Sequence, residues 1–217
     1  MIEVILPWEV DRTSSKYTWA AGYLEQRRVP SIVYLQPKDE RLVKQISSVV
    51  KWTLGSRNWI VCICNSTGYI RSLFGYVLAS YVFTTQGRAI SVDVDDLTTA
   101  IDEPDGDKRD IIEYANLLLI NYCDPDNPHL KWKKGAIANI LQRRKYKKLS
   151  TVLNVFSRKI PDKMDSAKAL KMTERVTDMF GETSYELFTD QDSKRVLIRS
   201  NEETRYGRGK RKTSGRN

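Results

Sequence analysis

Histidine, cysteine and long apolar runs are all scarce in this sequence of 217 residues. His129 is the only histidine, which argues against catalysis by a serine–histidine or cysteine–histidine pair. The three cysteines are too few for a four-ligand metal site. Cys62, Cys64 and Cys123 lie in or beside apolar runs, so we predict buried, reduced thiols in strands and no metal centre.

No apolar run reaches the ~20 residues that a membrane-spanning helix needs. The first residues, MIEVILPWEVDR, also lack the basic start and the long apolar stretch of a secretory signal. These two absences predict a cytoplasmic protein without membrane contact. Hydrophobic residues make up 41% and charged residues 29% of the chain, a composition typical of one soluble globular domain of this length.

Acidic residues are missing from two stretches in which basic residues accumulate, 131–149 and 205–217, and the net charge is +9. Such clusters favour a polyanion, most often nucleic acid, and aromatic rings among them offer bases a stacking surface. A solvated helix face and a solubilising tail are the alternative. The candidate nucleic-acid contacts are Lys131, Trp132, Lys133, Lys134, Arg143, Arg144, Lys145, Lys147 and Lys148, with Arg208, Lys210, Arg211 and Lys212 in the tail.

Apolar residues recur with helical and strand periods in alternation. Helices are predicted at 14–28, 38–54, 71–85, 134–147 and 166–180, with a short helix in DDLTTAI. Strands are predicted at 59–64, 89–94, 117–120 and 150–156, with a final pair in YELFT and KRVLIRS. The segment DEPDGDKRD is predicted to be a polar loop. Alternating strands and helices predict parallel βαβ units in a three-layer α/β domain.

Four segments stand in a recognisable order: the strand–turn–helix at 59–85, SVDVDDLTTAI, LLLINYCD, and ANILQRRKYKKLSTVLNVFS, with ERVTDMFGETSYELFTDQDSKR closing the pattern. Over roughly residues 40–200 this order resembles the AAA+ ATPase core of the DnaC/DnaI helicase loaders and IstB transposition ATPases. The resemblance implies a three-layer parallel sheet of P-loop NTPase (AAA+/RecA-like) type. We expect an N-terminal helical extension at 1–37, a core at 38–203 and a disordered basic tail at 204–217.

The family's phosphate loop, GxxxxGK[ST], falls on the stretch NSTGYIRS. Its glycines let backbone N–H groups surround phosphate, and its lysine reaches the β- and γ-phosphates. Here Asn65 and Ile70 replace the two glycines, and Gly68 is the one permissive position. Arg71 replaces the lysine with a planar, longer group, and Ser72 keeps the magnesium-binding hydroxyl. The resemblance makes these residues a degenerate nucleotide site.

The family's second motif, four apolar residues and then Asp-Glu, reads LLLI-Asn121-Tyr122 in this chain. Asn121 is neutral and a poor magnesium ligand, and Tyr122 replaces the glutamate that would polarise water. Asp124 and Asp126 lie just beyond and are possible substitutes through a shift in register.

Two further positions follow from the same resemblance. Asn154 matches the polar sensor residue at the end of its strand. The arginine finger is expected near 177–179, where the sequence reads TDM. Arg175, one helical turn earlier, is the candidate replacement. Since a trans arginine contributes ~10³–10⁵ in phosphoryl-transfer rate, these changes together predict weak hydrolysis or none.

The residues and the resemblance together predict an AAA+-like protein with a degraded nucleotide site. It would bind single-stranded DNA and a protein partner, such as a replicative helicase or a transposition component, and it would form an oligomer. ATP with Mg²⁺, held weakly, is the only cofactor implied. Two alternatives remain open: an active ATP-dependent helicase loader or transposition ATPase with divergent motifs, and a structural protein that docks on RNA through its tail.

Overall fold

The computed structural model describes residues 3–55, 60–64, 67–103, 106–155, 166–181, 185–189 and 196–198. Asn65 and the whole of the basic tail, including its four candidate contacts and its predicted disorder, lie outside these residues. The helices are α1 (Ser15–Gln26), α2 (Glu40–Gly55), α3 (Thr67–Thr85), α4 (Val94–Asp102), α5 (Asp107–Tyr114), α6 (Pro128–Tyr146) and α7 (Ser166–Met179), with a short 3₁₀ helix at Ser31–Tyr34. The strands are β1 (Ile60–Cys64), β2 (Ala89–Asp93), β3 (Leu117–Asn121), β4 (Ser150–Asn154), β5 (Tyr185–Thr189) and β6 (Val196–Ile198).

The six strands form one sheet in the order β2-β3-β4-β1-β5-β6. All pairings among the first five strands are parallel, and only β6 runs antiparallel, against β5. The predicted α/β class with a parallel sheet is therefore confirmed. Because parallel strands end on the same side, the residues that follow β2, β3 and β4 meet at one edge of the sheet, the carboxyl edge.

Strand β3 shows how the sequence produces the layers. Its run Leu117-Leu118-Leu119-Ile120 is fully buried, as predicted for a strand covered on both faces. Successive side chains point to opposite faces. Leu117 and Leu119 accordingly join the hydrophobic cluster formed by α1, α2 and α3, whereas Leu118 and Ile120 join the one formed by α4, α5, α6 and α7.

Helix α3 carries apolar residues on all sides because it is covered on all sides. One side faces the sheet, and the N-terminal segment packs on the other. The Tyr76 hydroxyl donates to the carbonyls of Ile32 and Leu35, and the Ser80 hydroxyl donates to the carbonyl of Ile5. Residues of α1 share one buried cluster with α2 and α3. The predicted boundary at residue 37 therefore marks no break in the hydrophobic core.

Two helices begin earlier than predicted, and one helix was not predicted. Helix α6 begins at Pro128, six residues early, because the Asn127 side chain accepts a hydrogen bond from the His129 N–H and proline suits the first helical position. Helix α3 begins at Thr67 and not at 71. Helix α5 occupies part of the segment predicted as a polar loop, beginning after Gly106 with two acids in its first turn.

Arg144, in the last turn of α6, is fully buried and ties three elements together. Its guanidinium donates to the carbonyls of Ile112, Glu113 and Ala115 at the end of α5, where a helix leaves carbonyls unpaired. It also donates to the carbonyl of Ser150 and the hydroxyl of Thr151 at the start of β4. Burial lowers the pKa of Arg144 to about 9, with Tyr81 and Glu113 acting in the opposite direction, so the group stays charged at neutral pH.

We expect Arg144→Met to lower the free energy of unfolding by roughly 3–5 kcal/mol, because the aliphatic stem remains while several buried carbonyls lose their donor. Lys134→Met, on the exposed side of the same helix, is the matched control and should change stability by less than about 0.5 kcal/mol. Urea denaturation followed by circular dichroism measures both. Equal losses in the two variants would contradict the structural role of Arg144.

Candidate nucleotide site and basic surfaces

Three polar side chains line up at the carboxyl edge, one from each of β2, β3 and β4. Asp93 and Asn121 are paired in register across β2 and β3. Asn154 Nδ2 donates to Asn121 Oδ1 at 2.8 Å, with both side chains buried. The Asn121 amide in turn donates to the Asp93 carboxylate, a bond that favours the ionised form of Asp93. The polar row therefore runs Asn154, Asn121, Asp93, and it carries one carboxylate.

Asp93 has a pKa above its usual value. The largest cause is its burial, the Asn121 hydrogen bond opposes this, and the neighbouring Asp96 and Asp95 add to it, while Arg71 lowers the pKa again. Asp93 precedes α4, yet its side chain caps no helical N–H. The carboxylate is thus available to the space above the sheet.

A cavity of about 450 Å³ opens beside the polar row. Arg27, Arg28 and Arg71 stand around it, against the single carboxylate of Asp93, while apolar residues of α3 and β2 form its wall. Arg28 has a φ of 55°, a left-handed conformation that costs a residue other than glycine about 1 kcal/mol. Because three arginines surround one carboxylate, the cavity has an excess of positive charge, which favours an anion.

The structure places the residues of the phosphate-loop alignment differently from the pattern. Only two residues, 65 and 66, separate the end of β1 from the start of α3. Gly68 and Ile70 are therefore helical, and Ile70 is fully buried. Arg71 and Ser72 lie exposed in the second turn of α3. Of these two residues, Arg71 reaches the cavity beside Asp93.

Asn154 keeps one unsatisfied group. Its Oδ1 is buried, and among the described residues no hydrogen-bond donor reaches it. A buried amide oxygen without a donor is unfavourable by about 1–3 kcal/mol. The residue predicted as sensor-like thus presents a free acceptor inside the polar row.

The acids beyond β3 hold a turn together. Tyr122 has a φ of 58°, and the chain then turns so that Asp124 Oδ1 accepts the N–H of Asp126 at 2.9 Å. Asp126 pairs with Arg175 at 2.7 Å and with Lys131 at 3.5 Å. The hydrogen bond from Arg175 is the main reason why the pKa of Asp126 lies below its usual value.

These contacts bear on two predicted roles. Asp124 and Asp126 both have partners within the turn and its surroundings, and neither one lines the cavity. Arg175, the candidate arginine finger, stands on α7 in an exposed ion pair. Such a pair contributes little stability, so Arg175 can be released from Asp126 at small cost.

The basic stretch divides into two surfaces along α6, whose 19 residues span about 28 Å. Lys131, Trp132, Lys133 and Lys134 lie near its start, close to the carboxyl edge, and Trp132 is 79% exposed. Arg143, Lys145, Lys147 and Lys148 lie near its end, at the opposite, amino edge of the sheet. We call these groups the first and second basic surfaces.

Two of the predicted nucleic-acid contacts do not have the expected surroundings. Arg144 was expected to face solvent and is fully buried, so its placement among the nucleic-acid contacts is wrong. The reason is that the last turn of α6 lies against the unpaired carbonyls of α5. Arg143 ion-pairs with the buried carboxylate of Glu113 at 3.2 Å and keeps about half of its side chain exposed.

Sequence reasoning missed Asp93. The sequence predicted a strand at 89–94 with Asp93 inside it and a helix from residue 95, whereas Asp93 is the last residue of β2 and directly precedes α4. This position becomes informative only with the strand order, because the neighbouring strands β2 and β3 deliver their last residues to the same edge. No group of three or more metal-ligating side chains occurs within the described ranges, and no helix there is long and apolar enough to cross a membrane.

Replacing Asp93 by asparagine tests its electrostatic environment. A carboxyl whose pKa is raised by folding weakens the native state as pH rises from the unfolded pKa of about 3.8 through the native value. Asp93→Asn removes this effect and keeps an acceptor for Asn121. We expect the variant to gain stability relative to the native chain between pH 3.5 and pH 7, as measured by urea denaturation. A difference that does not change with pH would contradict the raised pKa.

No protein-family model matches the sequence, and no curated protein matches it. Among solved structures, the DnaC helicase loader is similar over 71% of this chain and 92% of its own length, with 15% identity and a TM-score of 0.51. A DNA replication initiation factor aligns with 80% of this chain at 17% identity and a TM-score of 0.45, and this chain spans half of its length. DnaI aligns with 72% of this chain and 88% of its own length at 16% identity and a TM-score of 0.47. The chain therefore has the same fold as the DnaC helicase loader.

Proposed function

We propose that this chain is an AAA+-like DNA-binding and protein-binding subunit of DNA replication or mobile-element transposition, with a nucleotide site that has lost most of its catalytic groups. The observation that carries the proposal is the polar row. Where a magnesium-binding acid is expected, β3 ends in the neutral Asn121, whose amide oxygen already accepts a hydrogen bond from Asn154.

The loss of catalysis follows from what phosphoryl transfer requires. That reaction depends on positioning and on neutralising charge, mainly through a magnesium ion and cationic side chains. Asn121 contributes no negative charge for magnesium. Arg71 is the fifth residue of α3, and only two residues separate this helix from β1. The remaining cations around the cavity support weak binding of phosphate groups and leave little to accelerate hydrolysis.

The protein-binding part of the proposal is supported by the fold and by the surface. The similar structure is that of a helicase loader, and a replicative helicase or a transposition component is the partner that we propose. Trp132 is 79% exposed beside the Lys133 ammonium, which lies 4.9 Å from the centre of its ring. Exposed tryptophan is characteristic of contact surfaces. Self-association into an oligomer is part of the same proposal.

A second candidate function has its own observation. Asp93 places one carboxylate at the carboxyl edge, next to Asn121 and facing a cavity with three arginines. It can stand in for the missing acid from the neighbouring strand, and the chain is then an ATP-dependent loader or transposition ATPase with a divergent site.

Nucleotide titration and phosphate release distinguish the two candidates. We expect fluorescent ATP to bind weakly, binding to fall several-fold in Arg71→Ala, and phosphate release to stay at background with and without single-stranded DNA. Arg41→Ala, at an exposed position on α2, is the control. Turnover above background that disappears in Asp93→Asn and Arg71→Ala, but not in Arg41→Ala, would overturn the first proposal in favour of the second.

Binding of single-stranded DNA should depend on salt through both basic surfaces. Each lysine that contacts a phosphate contributes about one unit to the slope of log K against log salt concentration. We expect Lys134→Ala and Lys145→Ala each to reduce that slope by about 1 in fluorescence anisotropy titrations. Lys51→Ala, exposed on α2, should leave it unchanged. Identical slopes for all four proteins would contradict DNA contact through α6.

A further inference from the structure

A second cavity lies at the amino edge of the sheet, on the side opposite the polar row. It has a volume of about 300 Å³, and its lining comes from α1, from the residue before β2, and from α5 and the residue after it. The polar groups around it are Tyr23, Arg27, Arg88, Asp110 and Tyr114. Two arginines thus face one carboxylate. The volume is at the lower end of the range for ligand sites, which suits one small ring system.

One wall of this cavity is a ladder of stacked groups along α1. Trp19, Tyr23 and Arg27 follow each other at intervals of four residues, which places them on one face of the helix. The rings of Trp19 and Tyr23 are stacked, with centroids 5.5 Å apart and planes at 15°. The Arg27 guanidinium carbon lies 5.3 Å from the centre of the Tyr23 ring. The ladder ends in a guanidinium at the cavity.

Two hydrogen-bonding features hold the ladder in its position. The Tyr23 hydroxyl donates to the carbonyl of Ala89 at 2.8 Å and so fixes α1 against the outer edge of β2. Arg27 Nε is buried, and no acceptor within the described ranges reaches it. Arg27 therefore has one buried, unsatisfied donor, and its planar cation stands at the cavity.

The other wall is Tyr114, at the end of α5, with 55% of its surface exposed. The Lys147 ammonium lies 3.6 Å from the centre of the Tyr114 ring and 3.6 Å from the carboxylate of Glu113, which is itself buried. Glu113 thereby anchors Lys147 beside the ring. Lys147 belongs to the second basic surface, so the cavity adjoins a row of cations that suits phosphates.

We propose that this cavity takes an unpaired base of a single-stranded nucleic acid, stacked on Tyr114 and on the Arg27 guanidinium, while Arg88 and the second basic surface contact the flanking phosphates. Stacking on aromatic rings and on guanidinium planes, next to a basic groove, is how proteins bind single strands without sequence preference. The inference rests on the proposed function in requiring that the chain binds nucleic acid, and it assigns the place and the kind of contact.

The chemistry of the walls separates this ligand from duplex DNA. In a duplex the bases are stacked on each other and present only their edges in the grooves, so they offer no face to Tyr114. The ring surfaces are needed only if bases are unpaired. A contact through phosphate alone would use the lysines and arginines and would be indifferent to Tyr114.

The experiment compares two single-stranded oligonucleotides of equal length, one of thymidines and one with abasic sites throughout, by fluorescence anisotropy at fixed salt. We expect the native chain to bind the thymidine strand more tightly. Tyr114→Ala should weaken that binding by roughly 5- to 100-fold, as expected for the loss of one stacked base, and leave binding of the abasic strand unchanged. Tyr114→Phe should bind like the native chain.

Tyr146→Ala tests the competing stacking position, because Tyr146 is 90% exposed in the same basic stretch, where its ring also offers a stacking surface, and does not line the cavity. It should change binding of either strand by less than about twofold. Thermal denaturation must show that the variants are folded, and Tyr114→Phe provides a second, conservative change at the same site. A ribo-oligonucleotide of the same length tests whether RNA bases are accepted equally.

Each contrary outcome has a distinct meaning. If the native chain binds both strands equally and Tyr114→Ala has no effect, the stacking site is refuted and DNA binding through phosphates stands. If Tyr114→Ala and Tyr146→Ala lose affinity equally, the cavity is not the site. If the native chain binds neither strand, both this inference and the DNA-binding part of the proposed function are overturned.

Discussion

The buried guanidinium of Arg144 is the interaction on which the amino edge of this sheet depends. Helix α5, helix α6 and strand β4 would otherwise meet with unpaired carbonyls, and one planar group satisfies them together. Its neighbours in sequence are thereby fixed in direction. With Arg144 pointing inward, Arg143 and Lys147 lie beside Glu113, and Tyr114 is held at the rim of the amino-edge cavity. A structural arginine thus arranges a set of cations that face outward.

The two edges of the sheet have different chemistry. At the carboxyl edge, two amides and one carboxylate form the polar row beside a cavity with three arginines. At the amino edge, stacked rings and a guanidinium border a smaller cavity next to lysines. The first edge carries the nucleotide site proposed above, and the second carries the proposed site for an unpaired base. Arg27 lines both cavities, but the other residues of the second cavity do not line the first, so a change in the polar row need not affect them.

The apolar pattern of the sequence was enough to predict the sheet. Leu117-Leu118-Leu119-Ile120 identified a strand covered on both faces, and alternating elements predicted parallel pairing, which the structure confirms. Helix α5 was not predicted, because a polar stretch with Pro104 and Gly106 resembles a loop. The helix is preceded by Gly106 in a left-handed backbone conformation, without a capping side chain that the sequence would reveal. Local signals also misplaced the start of α6, where the cap residue Asn127 and Pro128 stood inside an apparent turn.

The candidate site was only partly predictable, because its members come from different strands. Asn121, Asn154 and Arg71 could be singled out by resemblance, and the structure brings Asn121 and Asn154 into contact. Asp93 and the amino-edge cavity needed the strand order and the position of α1, which no single segment encodes. Arg144 was wrongly predicted for the same reason, because its partners lie on other elements. A basic residue in a basic run looks exposed, and only the carbonyls of a distant helix end explain why it is buried.

The attachment of α1 to the outer edge of β2 makes the first part of the chain inseparable from both cavities. Arg27 borders the two of them, and Tyr23 holds the helix to Ala89. Trimming the chain to begin at residue 38 would uncover α3 and remove a wall from each cavity. The N-terminal segment therefore supports both cavities, and any shortened version of this protein should keep it.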